Sequence, residues 1–210
     1  IADVSCLPDP LVNNDLVKYI SEYRKQKILK LRQLQDRKLC LGAGLLQKYV
    51  FEKNNISEKG IYTTQKGKPM CDGLFFNMAH SGNYVICATG LYDIGCDIEH
   101  IEKIDLKIAD RFFCKNESEY LSKFNDIDRI HEFYRLWTVK ESYVKMTGDG
   151  LAVGLNSFEA AFDGQWFIKK QGILQNCHIK EFSISGYTMA VCFNDDDIMS
   201  VPEEVSILDL

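Results

Sequence analysis

Phe133-Tyr134-Arg135-Leu136-Trp137-Thr138-Val139-Lys140-Glu141-Ser142-Tyr143-Val144-Lys145 lies inside the most aromatic helical stretch of the chain, which runs from about Ile127 to Thr147 and stops at Gly148-Asp149-Gly150. Side chains four apart stack on one helix face, so Phe133, Trp137, Glu141 and Lys145 form a single row. Glu141 therefore continues an aromatic stripe, where a partly desolvated carboxylate needs a partner. Lys145 is the ordinary partner, and such a pair is worth only a few tenths of a kcal/mol. The other reading makes Glu141 a metal ligand or general base and puts Lys145 on a phosphate. Taken alone, the segment supports both.

Strand patterns flank this helix on both sides. Before it, Leu74 to Met78 and Tyr84 to Thr89 are apolar runs around the turn Ser81-Gly82-Asn83, which predicts a hairpin, and a third run spans Ile94 to Ile98. After it come strands at Phe158–Phe162, Gln165–Lys169, His178–Ile184 and Tyr187–Phe193. Asp105–Phe113 and Asn116–Phe124 read as short helices. Nearer the N-terminus, apolar residues from Ile28 to Val50 recur at spacings of three and four, predicting one helix over Lys27–Lys53. An earlier helix, capped by Asn13 or Asn14, is expected to run towards Lys25. The acidic tail Asn194–Leu210 is expected to be partly mobile. Each half thus has a long helix and a similar strand, Tyr84-Val85-Ile86-Cys87-Ala88 and Met189-Ala190-Val191-Cys192-Phe193, which suggests two related α+β halves.

Composition narrows the function. The chain has 210 residues, 46% of them apolar, enough for one domain or two small ones with a filled core. Its net charge of −5 argues against a dedicated nucleic-acid binder. No apolar run approaches the roughly 20 residues of a membrane span. The N-terminal residues lack the basic start and apolar block of a secretion signal. The eight cysteines include no Cys-x-x-Cys pair, which argues against a zinc site and leaves buried, reduced thiols in a cytoplasmic protein as the expectation.

Two further segments carry chemistry. In a strand, residues two apart share a face, so Asp97 and Glu99 of Gly95-Cys96-Asp97-Ile98-Glu99 lie together while Ile98 packs behind them. Adjacent carboxylates raise each other's pKa unless a cation joins them, and hard oxygen donors suit Mg²⁺. A bare Asp-x-Glu is nonetheless usually a solvated strand end. Lys66-Gly67-Lys68-Pro69 precedes Phe76-Asn77-Met78-Ala79-His80-Ser81-Gly82; Gly67 lets backbone approach a ligand between two lysines. His80 ends a predicted strand, where it can donate to a phosphate or serve as a structural hydrogen bonder. Gly-x-Ser-x-Gly, His-Glu-x-x-His and P-loop signatures are absent.

In their order and spacing, these segments resemble the 4′-phosphopantetheinyl transferases, specifically the long monomeric type that activates nonribosomal peptide and polyketide synthases. Arg111-Phe112-Phe113 and Glu117 are similar to that family too. The resemblance implies two similar α+β halves with pseudo-twofold symmetry, residues 1–103 and 104–210, and an active site in the cleft between them. It implies Mg²⁺-dependent transfer of the phosphopantetheine arm of coenzyme A to a serine of an apo acyl or peptidyl carrier protein, releasing adenosine 3′,5′-bisphosphate. Asp97, Glu99 and Glu141 match the family's Mg²⁺ ligands. Glu141 and Lys145 match the catalytic pair. Lys38, Lys66, Gly67, Lys68, His80, Asp97 and Lys145 match residues that hold coenzyme A, and Lys27 joins them if a gap is allowed. Ala79 stands where the family often has a ligand-contacting serine. Two other readings compete: a Mg²⁺-dependent phosphodiesterase or nuclease, disfavoured by the acidic balance, and a non-catalytic module in which the same residues are structural ion pairs.

Overall fold

The computed structural model describes residues 1–13, 15–150, 153–194 and 201–208. Along the chain run β1 (Ala2–Asp3), α1 (Glu22–Lys30), α2 (Leu34–Lys53), β2 (Ile61–Thr63), β3 (Pro69–Cys71), β4 (Phe75–Ser81), β5 (Tyr84–Gly90) and β6 (Ile94–His100). Then follow α3 (Ala109–Phe112), α4 (Lys115–Leu121), α5 (Asp126–Thr147), β7 (Glu159–Phe162), β8 (Trp166–Lys170), β9 (Ile173–Leu174), β10 (His178–Ile184) and β11 (Tyr187–Phe193). The architecture is a mixed α and β fold, as expected. The hairpin, the strand after it, α5 and the four late strands all form close to their expected positions.

The N-terminal helices differ from expectation. The first helix begins at Glu22, where the Ser21 side chain accepts from the Arg24 N–H. Asn13 instead accepts from the backbone of Asp15 in a local turn, and Asn14 lies outside the described residues. The helix expected over Lys27–Lys53 is broken, because Leu31 and Gln33 are extended. Arg37 stabilises the break by donating to the Leu31 and Arg32 carbonyls at 3.3 and 2.7 Å while gripping Asp9 with two bonds of 2.9 and 2.5 Å. The break lets α1 fold back onto α2 at Gly44, where a Cβ would lie 2.5 Å from the Ile20 side chain and 2.8 Å from that of Arg24. Periodicity continues through residues 27–53, so pattern alone could not show the fold-back. The short β1, β2, β3 and β9 lie outside the expected strands, since strands of two or three residues carry no periodic signal.

Two antiparallel sheets form the middle, one in the order β1-β5-β4 and the other β10-β11-β6. Side chains join them. Asn77 Oδ1 on β4 accepts from the Cys96 N–H of β6 at 2.9 Å, and Ser81 Oγ accepts from the His100 N–H at 3.0 Å. Both pairs are 19 residues apart, so β4 and β6 run parallel, with side chains satisfying N–H groups that a backbone ladder would otherwise take. β11 is buried along its length: Ala190 and Cys192 pack in the α5 core, while Met189 and Val191 pack against Ile86, Cys96 and Ile98. A third core lies under α2, and Ile207 of the tail is buried in it. Of the tail, residues 195–200 and 209–210 lie outside the described residues. All eight cysteines are unpaired, and four are buried, among them Cys96, whose thiol burial pushes up to about 12. Among the described residues, no helix is long and apolar enough to cross a membrane.

β6 lies directly on α5. A Cβ on Gly95 would stand 2.1 Å from the Ser142 carbonyl oxygen and 2.2 Å from the Met146 nitrogen, both backbone atoms. No rotamer relieves such a clash, so helix and strand must separate to admit any side chain. Gly95→Ala is expected to destabilise the protein by at least the roughly 1–3 kcal/mol typical of overpacking. Urea denaturation measures this, and a midpoint equal to that of the unsubstituted chain would show that the contact is looser.

Candidate functional site

Alternation along β6 places Gly95, Asp97 and Glu99 towards α5 while Cys96 and Ile98 fill the core behind. Asp97 is buried, at 4% exposure, and Lys145 of α5 donates to its Oδ1 at 2.5 Å. The Asp97 Oδ2 atom is buried and has no hydrogen-bond partner. Ser81 donates to Glu99 Oε2 at 3.0 Å, so the hydroxyl that joins the sheets also orients this carboxylate. Upstream of Glu141, the aromatic row is real: Phe133 stacks on Trp137 at 5.8 Å, and Phe112 meets Trp137 edge-on at 5.2 Å. The i, i+4 partner expected for Glu141 is thus committed to Asp97. Among the described residues, no salt bridge or hydrogen bond engages the Glu141 carboxylate.

Burial sets the electrostatics. Desolvation pushes the Asp97 carboxyl up to about 7, with Lys145 opposing and Glu99 and Glu141 adding to the rise. Glu99 and Glu141 are raised as well, chiefly by desolvation. Burial is the largest single influence on Lys145 and works to lower its pKa, but the charge and hydrogen bond of Asp97, with Cys96 and Glu141 adding, together carry the net direction up. No three acidic, histidine or cysteine side chains among the described residues converge into a ready protein cage for a metal. Mg²⁺ does not need one, because it commonly takes one or two carboxylates together with waters and substrate phosphates. An orphaned buried carboxylate oxygen beside two more desolvated acids fits such a cation.

A groove of about 360 Å³ opens beside these groups, lined by Lys66, Gly67, Lys68 and Pro69, by Asn77 and Met78 of β4, and by Glu141 and Lys145 of α5. Three segments distant in sequence therefore share one wall. Gly67 has φ +91° and open space where a Cβ would stand. Lys68 is nearly buried, donating to the Met146 carbonyl at 2.6 Å and to Asp93 at 3.2 Å, where a cation suits a helix C-terminus. Lys66 is exposed and pairs with Asp149 at 2.7 Å.

His80 stands at the exposed end of β4, outside the groove wall. Desolvation lowers its pKa, and the charges of Lys27 and Lys145 push the same way, so these three side chains share a neighbourhood. Lys38 sits elsewhere on α2, donating to the Ser5 carbonyl at 2.9 Å.

Sequence reasoning missed four positions. Gly95, Asn77 and Ser81 act through contacts between distant segments and have no local signature. Lys140, inside the opening helix motif, is fully buried: it pairs with Glu117 of α4, donates to the Phe158 carbonyl at 2.7 Å, and lies 4.3 Å above the Phe158 ring. The same Glu117 oxygen accepts from the Ala160 N–H at 2.7 Å. Lys140 is thus structural, whereas Lys145, little more than a turn later, faces the groove.

The pattern of the 4′-phosphopantetheinyl transferase superfamily matches residues 93–192. The chain is 35% identical over 206 residues to the 4′-phosphopantetheinyl transferase Sfp of Bacillus subtilis (strain 168), covering 93% of this chain and 90% of that protein. It is 36% identical over 154 residues to the 4′-phosphopantetheinyl transferase gsp of Aneurinibacillus migulanus, covering 71% and 65%. With ffp of Bacillus subtilis it shares 34% over 203 residues, 92% and 89% of the two chains.

Two outcomes are expected. Lys140→Met leaves Glu117 buried without its cation and should cost about 3–5 kcal/mol in chemical denaturation. The second concerns Asp97, whose pKa rises on folding from 3.8 to about 7. Its contribution to stability is therefore greatest below about pH 4 and declines as pH rises to 7. In chelator, Asp97→Asn should flatten that part of the stability–pH curve; an unchanged slope would contradict the burial argument.

Proposed function

Because this chain belongs to the 4′-phosphopantetheinyl transferases, we propose that coenzyme A lies in the groove between the Lys66–Lys68 loop and α5 while its phosphopantetheine arm is moved. The protein is an enzyme that transfers this arm from coenzyme A to carrier proteins. The acceptor in this reading is a serine hydroxyl of an apo acyl or peptidyl carrier protein, and the other product is adenosine 3′,5′-bisphosphate. One observation carries the assignment of the site: a single groove is lined by Lys66, Gly67 and Lys68 together with Glu141 and Lys145, with the orphaned carboxylate of Asp97 bound to that same lysine.

Asp97, Glu99 and Glu141, which among the described residues form no ready cage, are the residues that would hold Mg²⁺ with substrate phosphates and waters, and the ion would neutralise charge on the diphosphate and polarise its phosphoryl oxygens. Lys145 reaches the phosphate from its place beside Asp97 and stabilises the charge that grows on the leaving group. Glu141 takes the serine proton; its raised pKa brings it nearer to the range where a general base works best. Lys66, Gly67 and Lys68 hold coenzyme A along the groove. His80 and Lys27, which share the field of Lys145, hold its phosphates at the other end; Lys38 would join them only by leaving the Ser5 carbonyl.

The architecture in this reading is two α+β halves, 1–103 and 104–210, related by a pseudo-twofold axis with the site in the cleft between them. Separate cores under α2 and around α5 support it, with β6 and β11 as the shared centre. The enzyme acts as a monomer, since one chain supplies every residue named. Eight free thiols accord with a reduced cytoplasm. The non-catalytic alternative needs each acid to have a cation, and Glu141 has none as a direct partner among the described residues.

Incubating an apo carrier protein with coenzyme A, Mg²⁺ and this enzyme should add one phosphopantetheine mass, read by mass spectrometry. No addition to any of several carrier proteins would overturn the reading. Asp97→Ala should lose on the order of 10²-fold or more in kcat/KM, with partial recovery in excess Mg²⁺. Because protons compete for raised carboxylates, the apparent Mg²⁺ affinity should fall about tenfold per pH unit below 7 for each proton displaced. A flat titration between pH 5 and 7 would remove Asp97 from the metal site.

A further inference from the structure

The reaction leaves one feature of the groove unexplained. Lys66-Gly67-Lys68 and Gly148-Asp149-Gly150 interlock across it. Lys66 pairs with Asp149 at 2.7 Å. A Cβ on Gly148 would stand 3.1 Å from the Lys68 side chain, and one on Gly150 would stand 3.2 Å from the Lys66 carbonyl. Both glycines have positive φ, +69° and +70°, so the segment after α5 bends in a way that side chains resist and thereby receives the loop. The two lysines are held differently. Lys68 is 8% exposed and fixed to the Met146 carbonyl, whereas Lys66 is 60% exposed and, among the described residues, is held by the Asp149 carboxylate. One lysine anchors the loop and the other is free to exchange its partner.

We infer that Asp149 is a positioning residue that sets the anion affinity of this groove: its carboxylate occupies Lys66 where a ligand phosphate would otherwise bind, so an entering anion must displace it. This rests on the reading that Lys66 receives a phosphate of coenzyme A. An exposed ion pair is weak, so a phosphate of nearly two negative charges exchanges for the single carboxylate charge readily, whereas a weakly charged anion gains little. The arrangement lowers the groove's affinity for every anion that must take Lys66 from Asp149. Lys170, whose charge is felt at Asp149, remains near the carboxylate after the exchange. Asp149 touches no reacting atom, so its effect belongs in KM and not in kcat.

The test is steady-state kinetics at fixed ionic strength with saturating carrier protein. Asp149→Asn and Asp149→Ser should lower the KM for coenzyme A about two- to fivefold, the span of an exposed ion pair, with kcat unchanged. Inorganic phosphate should become a stronger competitive inhibitor by a similar factor, and Asp149→Glu should restore the original values. In a Lys66→Ala background, Asp149→Asn should have no further effect. An unchanged or raised KM in both Asp149→Asn and Asp149→Ser overturns the inference. If Lys66→Ala itself leaves KM unchanged, the assignment of Lys66 to coenzyme A falls and the inference falls with it. If Lys66→Ala raises KM while the Asp149 variants do nothing, the role of Asp149 alone is rejected.

Discussion

At Gly95 two backbones meet with no room for a methyl group, and the groove is built outward from that contact. α5 carries Glu141 and Lys145, and β6 carries Asp97 and Glu99. The missing Cβ sets how closely those elements lie, and through them how closely the acids approach the lysine. Two rigid elements in backbone contact hold functional groups more closely than loops could. The same closeness excludes water from Asp97, and that desolvation raises its pKa.

The second constraint is the seam between β4 and β6. Asn77 and Ser81 use side-chain oxygens to accept from strand N–H groups, so the sheets join without a full ladder. Ser81 also donates to Glu99, which makes the seam part of the site. A substitution at either residue would alter both the joint and the position of the acids.

The site works against stability in a way its function accounts for. Three acids sit in a partly desolvated place with one nearby cation, and one buried oxygen has no partner. Elsewhere the protein satisfies buried charge fully, as in the Lys140–Glu117 pair, where every approach is met by a carbonyl, an N–H or an aromatic face. The contrast between a completed buried pair and an incomplete one is itself a sign of function.

Much of this was legible in the residues. Alternation at Gly95–Glu99 put Asp97 and Glu99 on one face because strand geometry has a period of two. The row Phe133, Trp137, Glu141, Lys145 followed from the helical repeat, and the order of the motifs pointed to the family. Local periodicity is a property of adjacent residues, so sequence could supply all of that. It could not show that Lys145 pairs with Asp97 and not with Glu141, that Lys140 is buried on Glu117, or that the helix expected over Lys27–Lys53 breaks and folds back. Nor could it show that Asp149 faces Lys66. Each of these depends on which distant segments come within a few ångströms, as backbone meets backbone at Gly95 and side chains close over Gly44, and the local pattern carries no information about the neighbour.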